Sequence, residues 1–105
     1  MDAQLKKGLV EVCVLAVLAD EPSYGYQIIS DLSEVIDISE STLYPILKRL
    51  ESNKLLETYS QIYNGRQRKY YKLTTSGFKK IKEFIKEWDS IDLLFKFIKH
   101  KGGIL

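Results

Sequence analysis

The chain has one cysteine, Cys13, and one histidine, His100, among its 105 residues. A single thiol cannot close an internal disulfide or build a cysteine-based zinc site, and one imidazole falls short of the histidine-rich metal sets. Two prolines and six glycines are too few for low-complexity or collagen-like sequence, and 45% hydrophobic residues are too many for disorder. No glycine-rich phosphate loop, usefully spaced acid pair or activated nucleophile is present, so the expectation is neither an enzyme nor a chain that needs a cofactor or a metal. The apolar run from Leu9 to Ala19 is broken by Glu11 and reaches only about half the length of a bilayer span. With no secretory signal at its start, the chain is expected to form one domain-sized unit in the reducing cytoplasm, with no membrane partner.

What is present is a division of charge. Residues 1–53 carry four basic and nine acidic side chains, whereas residues 54–105 carry twelve basic and five acidic ones. From Asn64 to Lys82 there are seven basic residues and no acid. A localised basic block on a chain of net charge +2 suggests an anionic partner meeting one face. A plain solvated surface would look the same at this level.

Hydrophobic periodicity supplies the elements. Gln4 to Ala19 reads as a helix apolar nearly all round, hence buried on most sides, and stopped by Asp20-Glu21-Pro22. Ser23 is placed to cap a second helix with Tyr24, Ile28, Leu32 and Val35 on one face. After Asp37-Ile38-Ser39 a third helix turns Leu43, Ile46, Leu47 and Leu50 inward. Its cap is Ser39 or Thr42, and Pro45 predicts a local distortion without a full break. Asn53 stops it. Leu55–Gln61 and Arg68–Leu73 read as strands joined around Asn64-Gly65, a strong hairpin signal. Tyr71 and Leu73 should point inward, and Arg68, Tyr70 and Lys72 outward.

Thr74 or Thr75 caps the last helix, whose residues Ile81, Phe84, Trp88, Ile91, Phe95 and Ile98 are spaced 3, 4, 3, 4, 3. That is an a/d seam, widened by Phe78, Ile85 and Leu94, and a partner helix is its simplest cover. The fold class expected is mainly α with a small β-hairpin. Residues 1–74 form a winged helix-turn-helix for DNA, and residues 75–105 a long dimerisation helix. The third helix can enter a major groove N-terminus first, so Ser39, Ser41, Thr42, Tyr44 and Lys48 are candidate DNA contacts. Arg66, Arg68 and Lys69 on the wing are candidate phosphate contacts. The alternative is a winged helix that serves as a protein–protein adaptor without an operator.

Several runs carry a specific likeness: Tyr24-Gly25-Tyr26, Ser41-Thr42-Leu43-Tyr44-Pro45, Leu47-Lys48-Arg49-Leu50-Glu51, Arg68-Lys69-Tyr70-Tyr71 and Leu73-Thr74 before Ser76-Gly77. Together they resemble the PadR family of bacterial transcriptional regulators over essentially the whole chain. The resemblance implies a homodimer through the C-terminal helix, placed on a palindromic double-stranded operator, usually as a repressor and often released by a small molecule. Within the family the chain is similar to short members with a single C-terminal helix. Glu87-Trp88 followed by Ile91-Asp92 resembles the tryptophan region of the multidrug-sensing branch, where a tryptophan from each subunit stacks flat aromatic compounds at the dimer centre. The resemblance therefore implies Trp88 as an effector platform. The second tryptophan of that branch, near the first wing strand, is absent here, and Tyr59 is the nearest aromatic.

Overall fold

A computed structural model describes residues 2–103, so Met1 of the expected N-terminal unit and residues 104 and 105 of the C-terminal one lie outside the described residues. The elements in chain order are α1 (Ala3–Val17), α2 (Gly25–Leu32), α3 (Glu40–Ser52), β1 (Leu56–Tyr63), β2 (Arg66–Leu73) and α4 (Thr75–Lys101). Three helices, an antiparallel hairpin and a long final helix make a mainly helical winged fold, as the sequence implied.

The core is built where the third helix put its apolar face. Leu43, Leu47 and Leu50 are buried against Val14, Leu15, Leu18, Ile28 and Leu32, and the hairpin closes the far side with Leu56, Tyr71 and Leu73. Ser39 is the N-cap of α3, its hydroxyl accepting the Thr42 N–H. This settles the choice against Thr42 as the cap. The helix runs unbroken through Pro45, whose ring lies on the exposed side. What proline removes there is one N–H that would otherwise reach the Ser41 carbonyl. Arg49, Leu50 and Glu51 then face three ways. Arg49 donates through Nε to Glu11 of α1 at 2.6 Å, Leu50 enters the core, and Glu51 accepts from Thr58 of β1 at 2.9 Å.

Three expectations are corrected. Ser23 does not cap α2: its N–H and carbonyl both pair with Tyr71 at 3.0 and 2.7 Å, forming a one-residue bridge beside β2. Committed to extended backbone there, Ser23 hands the N-cap to Tyr24, which has no side-chain cap bond, and its own buried hydroxyl has no hydrogen-bond partner. Val35 is not on the inner face of α2, which ends at Leu32; it stands 71% exposed in the following turn. Finally, α1 is buried on one side only. Val10, Val14 and Leu15 are covered, while Leu5 is 47% exposed, because one chain of this size has no layer to lay over the other side.

Thr74 is the N-cap of α4, accepting from the Gly77 N–H and donating to the Lys54 carbonyl at 2.7 Å. The first turn of α4 thus crosses the entry to β1 at close range. A Cβ on Gly77 would overlap the Leu55 carbonyl oxygen and the Leu73 side chain. Gly77→Ala should therefore cost about 1–3 kcal/mol, a fall of roughly 5–20 °C in Tm. Gly8→Ala, in open space on α1, should raise Tm slightly, since alanine is the better helix former. Thermal unfolding of the two variants decides this: a Gly77→Ala protein melting with the parent would rule out the close approach.

Beyond Phe84, α4 leaves the body. It has 27 residues, or about 40 Å of helix. The radius of gyration is accordingly 16.5 Å, against the ~13 Å of a compact chain of this length.

Candidate nucleic-acid interface

The exposed face of α3 is a stripe of Ser41, Tyr44, Lys48 and Ser52, one per turn, with Thr42 beside its start. At its N-terminus three hydroxyls meet: Ser39 Oγ lies 2.9 Å from Ser41 Oγ and 3.2 Å from Thr42 Oγ1. All three residues are exposed at the positive end of the helix dipole, where anionic groups are favoured. Ser39 spends its oxygen on the cap, so Ser41 and Thr42 are the hydroxyls with capacity to spare. Tyr44 is 44% exposed, and its hydroxyl end lies over Gly25, where a Cβ would collide with it. The glycine of Tyr24-Gly25-Tyr26 thus gives the Tyr44 ring its seat against α2.

The wing is longer than the sequence suggested. Tyr63 pairs with Arg66 directly across a two-residue turn, with Asn64 at φ 51° and Gly65 at φ 77°. Both central residues have positive φ, as a type I′ turn requires. Register then separates the three wing cations. Arg66 and Arg68 stand opposite Tyr63 and Gln61, on the face that carries Tyr59 and Tyr70. Lys69 lies on the other face with Tyr71, turned toward α3, where its ammonium is 3.9 Å from Glu51 and 5.4 Å from the Tyr71 ring centroid. Burial, with lesser help from Tyr44 and Glu51, pushes the Tyr71 phenol above its ordinary pKa and keeps it neutral.

Arg68 is engaged from three sides, by the rings of Tyr24 and Tyr63 and by the Tyr70 hydroxyl. That hydroxyl, accepting from the guanidinium, is the main reason the Arg68 pKa stands above its ordinary value. Sequence reasoning identified Arg68 but not its partners, two of which, Tyr24 at the start of α2 and Tyr63 at the end of β1, belong to other elements. It also missed Lys6 and Lys7, which line an open cleft of about 890 Å³ together with Ser39, Thr42 and Arg49. Those two lysines bring the first turns of α1 beside the start of α3.

On α4 the seam residues are uncovered within one chain. Ile81 and Phe84 are half-buried, while Ile91, Phe95 and Ile98 are 47%, 53% and 62% exposed. Leu93 and Phe97, outside the seam, are exposed as well. Trp88 is 41% exposed and stacks on Phe84, with ring centroids 6.0 Å apart and planes 19° from parallel. Among the described residues no group of three or more potential metal ligands is found, and no helix is long and apolar enough to cross a membrane.

Comparison with known proteins matches residues 14–83 to the PadR-like family of transcriptional regulators. A transcriptional regulator of Mycobacterium tuberculosis is 32% identical over 75 residues, which is 70% of this chain and 70% of that protein. The crystal structure of a PadR-like transcription factor from Bacteroides fragilis superposes with a TM-score of 0.83 at 36% identity, covering 91% of this chain and 95% of its own. Bacillus subtilis PadR in complex with operator DNA superposes with a TM-score of 0.69 at 23% identity, covering 73% of this chain and 46% of that one. That last likeness is one of fold.

Proposed function

The chain belongs to the PadR-like family of transcriptional regulators, a family of regulators and not enzymes, and from that premise we propose that it binds a double-stranded DNA operator in the cytoplasm as a sequence-specific repressor. The observation that carries this reading is the continuity of α3 with the wing. Glu51, at the end of α3, holds Thr58 and lies near Lys69, so the exposed stripe of α3 runs on into a basic ribbon. Residues 1–74 are the DNA-binding unit in this reading, and residues 75–105 the dimerisation helix. Ser41, Thr42 and Tyr44 meet base edges and the nearby backbone, with Ser39 behind them, while Lys48, Arg66 and Lys69 neutralise phosphates. Bacillus subtilis PadR, which shares this fold, is solved in complex with operator DNA, which supports DNA as the partner.

Two further parts of the proposal concern α4. A homodimer through Ile81, Phe84, Trp88, Ile91, Phe95 and Ile98 would cover the apolar seam and present two copies of α3 to a palindromic operator. A planar aromatic compound seated on Trp88 would act as the releasing effector.

The division of labour on DNA can be tested with an operator selected from genomic fragments and a random duplex as control. Arg66→Ala should weaken binding to both and flatten the log K–log salt slope by about one unit. Thr42→Ala should weaken operator binding by about 1–3 kcal/mol and random-duplex binding far less, because early positions of a recognition helix lie nearest base edges. Equal losses on both duplexes from Thr42→Ala would move the specificity away from α3. Binding with no salt dependence would favour the adaptor reading.

A further inference from the structure

The Arg68 guanidinium carbon lies 3.9 Å from the ring centroid of Tyr24 and 3.8 Å from that of Tyr63, so the planar cation is held between two aromatic faces. Its Nη1 donates to the Tyr70 hydroxyl at 3.3 Å. Tyr70 in turn stacks on Tyr59 at 5.5 Å and meets Tyr24 edge-on at 5.6 Å. The ends of this stack belong to different parts of the fold. Tyr24 is the N-cap of α2, the first helix of the helix-turn-helix, whereas Tyr63 is the last residue of β1 before the wing turn. Residues 59–67 are all exposed. The ties of the hairpin to the helices through Glu51 and Ser23 sit lower down, at Thr58, Lys69 and Tyr71. A two-stranded ribbon beyond such ties has little of its own to fix its tilt.

We infer that Arg68 is a positioning residue, a latch that fixes the outer wing against α2 and so sets where Arg66 stands relative to α3. The inference rests on the DNA-binding reading for its consequence but not for its geometry. It separates Arg68 from the wing cations that meet phosphate. A guanidinium sandwiched by two rings has both planar faces occupied, and its strength there comes from planarity as well as charge. Lysine keeps the charge and lacks the plane, so it is the discriminating replacement.

The variants are Arg68→Lys, Arg68→Ala, Tyr63→Leu and, as control, Arg66→Ala. Amide hydrogen exchange of residues 62–67 in the free protein should quicken about tenfold in the first three, as the outer wing opens more often, and stay at the parent value in the control. Affinity for a random-sequence duplex should fall as far in Arg68→Lys as in Arg68→Ala. Tyr63→Leu, which removes no charge, should fall with them, and the double variant Arg68→Ala/Tyr63→Leu should be no worse than either single one. Parent-like exchange at the wing tip in Arg68→Ala overturns the latch. So does full duplex affinity in Arg68→Lys beside a salt slope lowered by about one unit in Arg68→Ala, which is the signature of a phosphate contact. Should the parent protein bind no duplex at all, the DNA reading fails, and exchange in the free protein still decides the latch.

Discussion

Ile91→Asp should give a folded single chain in place of a dimer, and should lose operator binding by a factor of about 10²–10⁴. The side chain is 47% exposed, so an aspartate there buries no charge within one chain, and the core of Val14, Leu15, Ile28, Leu43 and Leu47 is untouched. Only a partner helix would feel the carboxylate, since burying an unpaired charge in an apolar seam costs several kcal/mol. The loss on DNA follows from the lost link between two recognition helices: each alone must find its half-site without a tethered neighbour. Phe84→Asp should behave differently. Phe84 lines a small cavity of about 250 Å³ with Leu5, Leu9 and Leu15 of α1, so its replacement damages the chain itself and should yield an unstable or insoluble protein. Light scattering and melting of the two variants separate these outcomes. An Ile91→Asp protein that stays dimeric would remove the seam as the interface.

What could be read from the residues alone follows from how far each signal reaches along the chain. The inward face of α3, the Asn64-Gly65 turn and the 3-4 seam of α4 are all set by neighbours within a few positions, where helical period and turn chemistry act. The family likeness was legible for a related reason, because each of its runs is a contiguous stretch, at the start of α2, along α3 and from β2 into α4. Errors arose where a contact joins distant segments. Ser23 looks like a cap until its backbone is claimed by Tyr71, and the stack around Arg68 draws on Tyr24 and Tyr63, each from another element. The outer wing was missed as strand because both its faces are exposed, so no apolar alternation marks it. The open side of α1 is the same lesson in reverse. Leu5 carries the pattern of burial, but a single chain leaves it 47% exposed.

Titration with flat cationic aromatic dyes should quench Trp88, and Trp88→Ala should abolish dye binding while leaving dimer mass and operator affinity near the parent values. Trp88 is the only tryptophan, so its emission reports this position alone. One face of the indole rests against Phe84, and the residue remains 41% exposed within the chain. In a dimer whose two-fold axis crosses paired α4 helices near this point, the open indole faces its symmetry mate. A planar guest between two such faces gains about 0.5–1.5 kcal/mol per stacked pair beyond the area it buries. Glu87 and Asp89 flank Trp88 in sequence and Asp92 follows one turn on, which favours a cationic guest; Asp92 is itself shared with Lys96 at 2.9 Å. Occupying the gap would alter the angle between the helices, and with it the spacing of two α3 helices that must match about one turn of DNA. Tight binding alone would not release the operator. The guest must prefer the altered spacing, and each tenfold loss of DNA affinity needs about 1.4 kcal/mol of that preference. The decisive comparison is therefore dye affinity with and without operator: the two should differ by the same factor as operator affinity with and without dye. Emission already shifted to the blue and unmoved by a broad panel of such dyes would mean that the Phe84–Trp88 stack is closed over by the partner helix, leaving Trp88 a packing residue and the release of DNA to some other site.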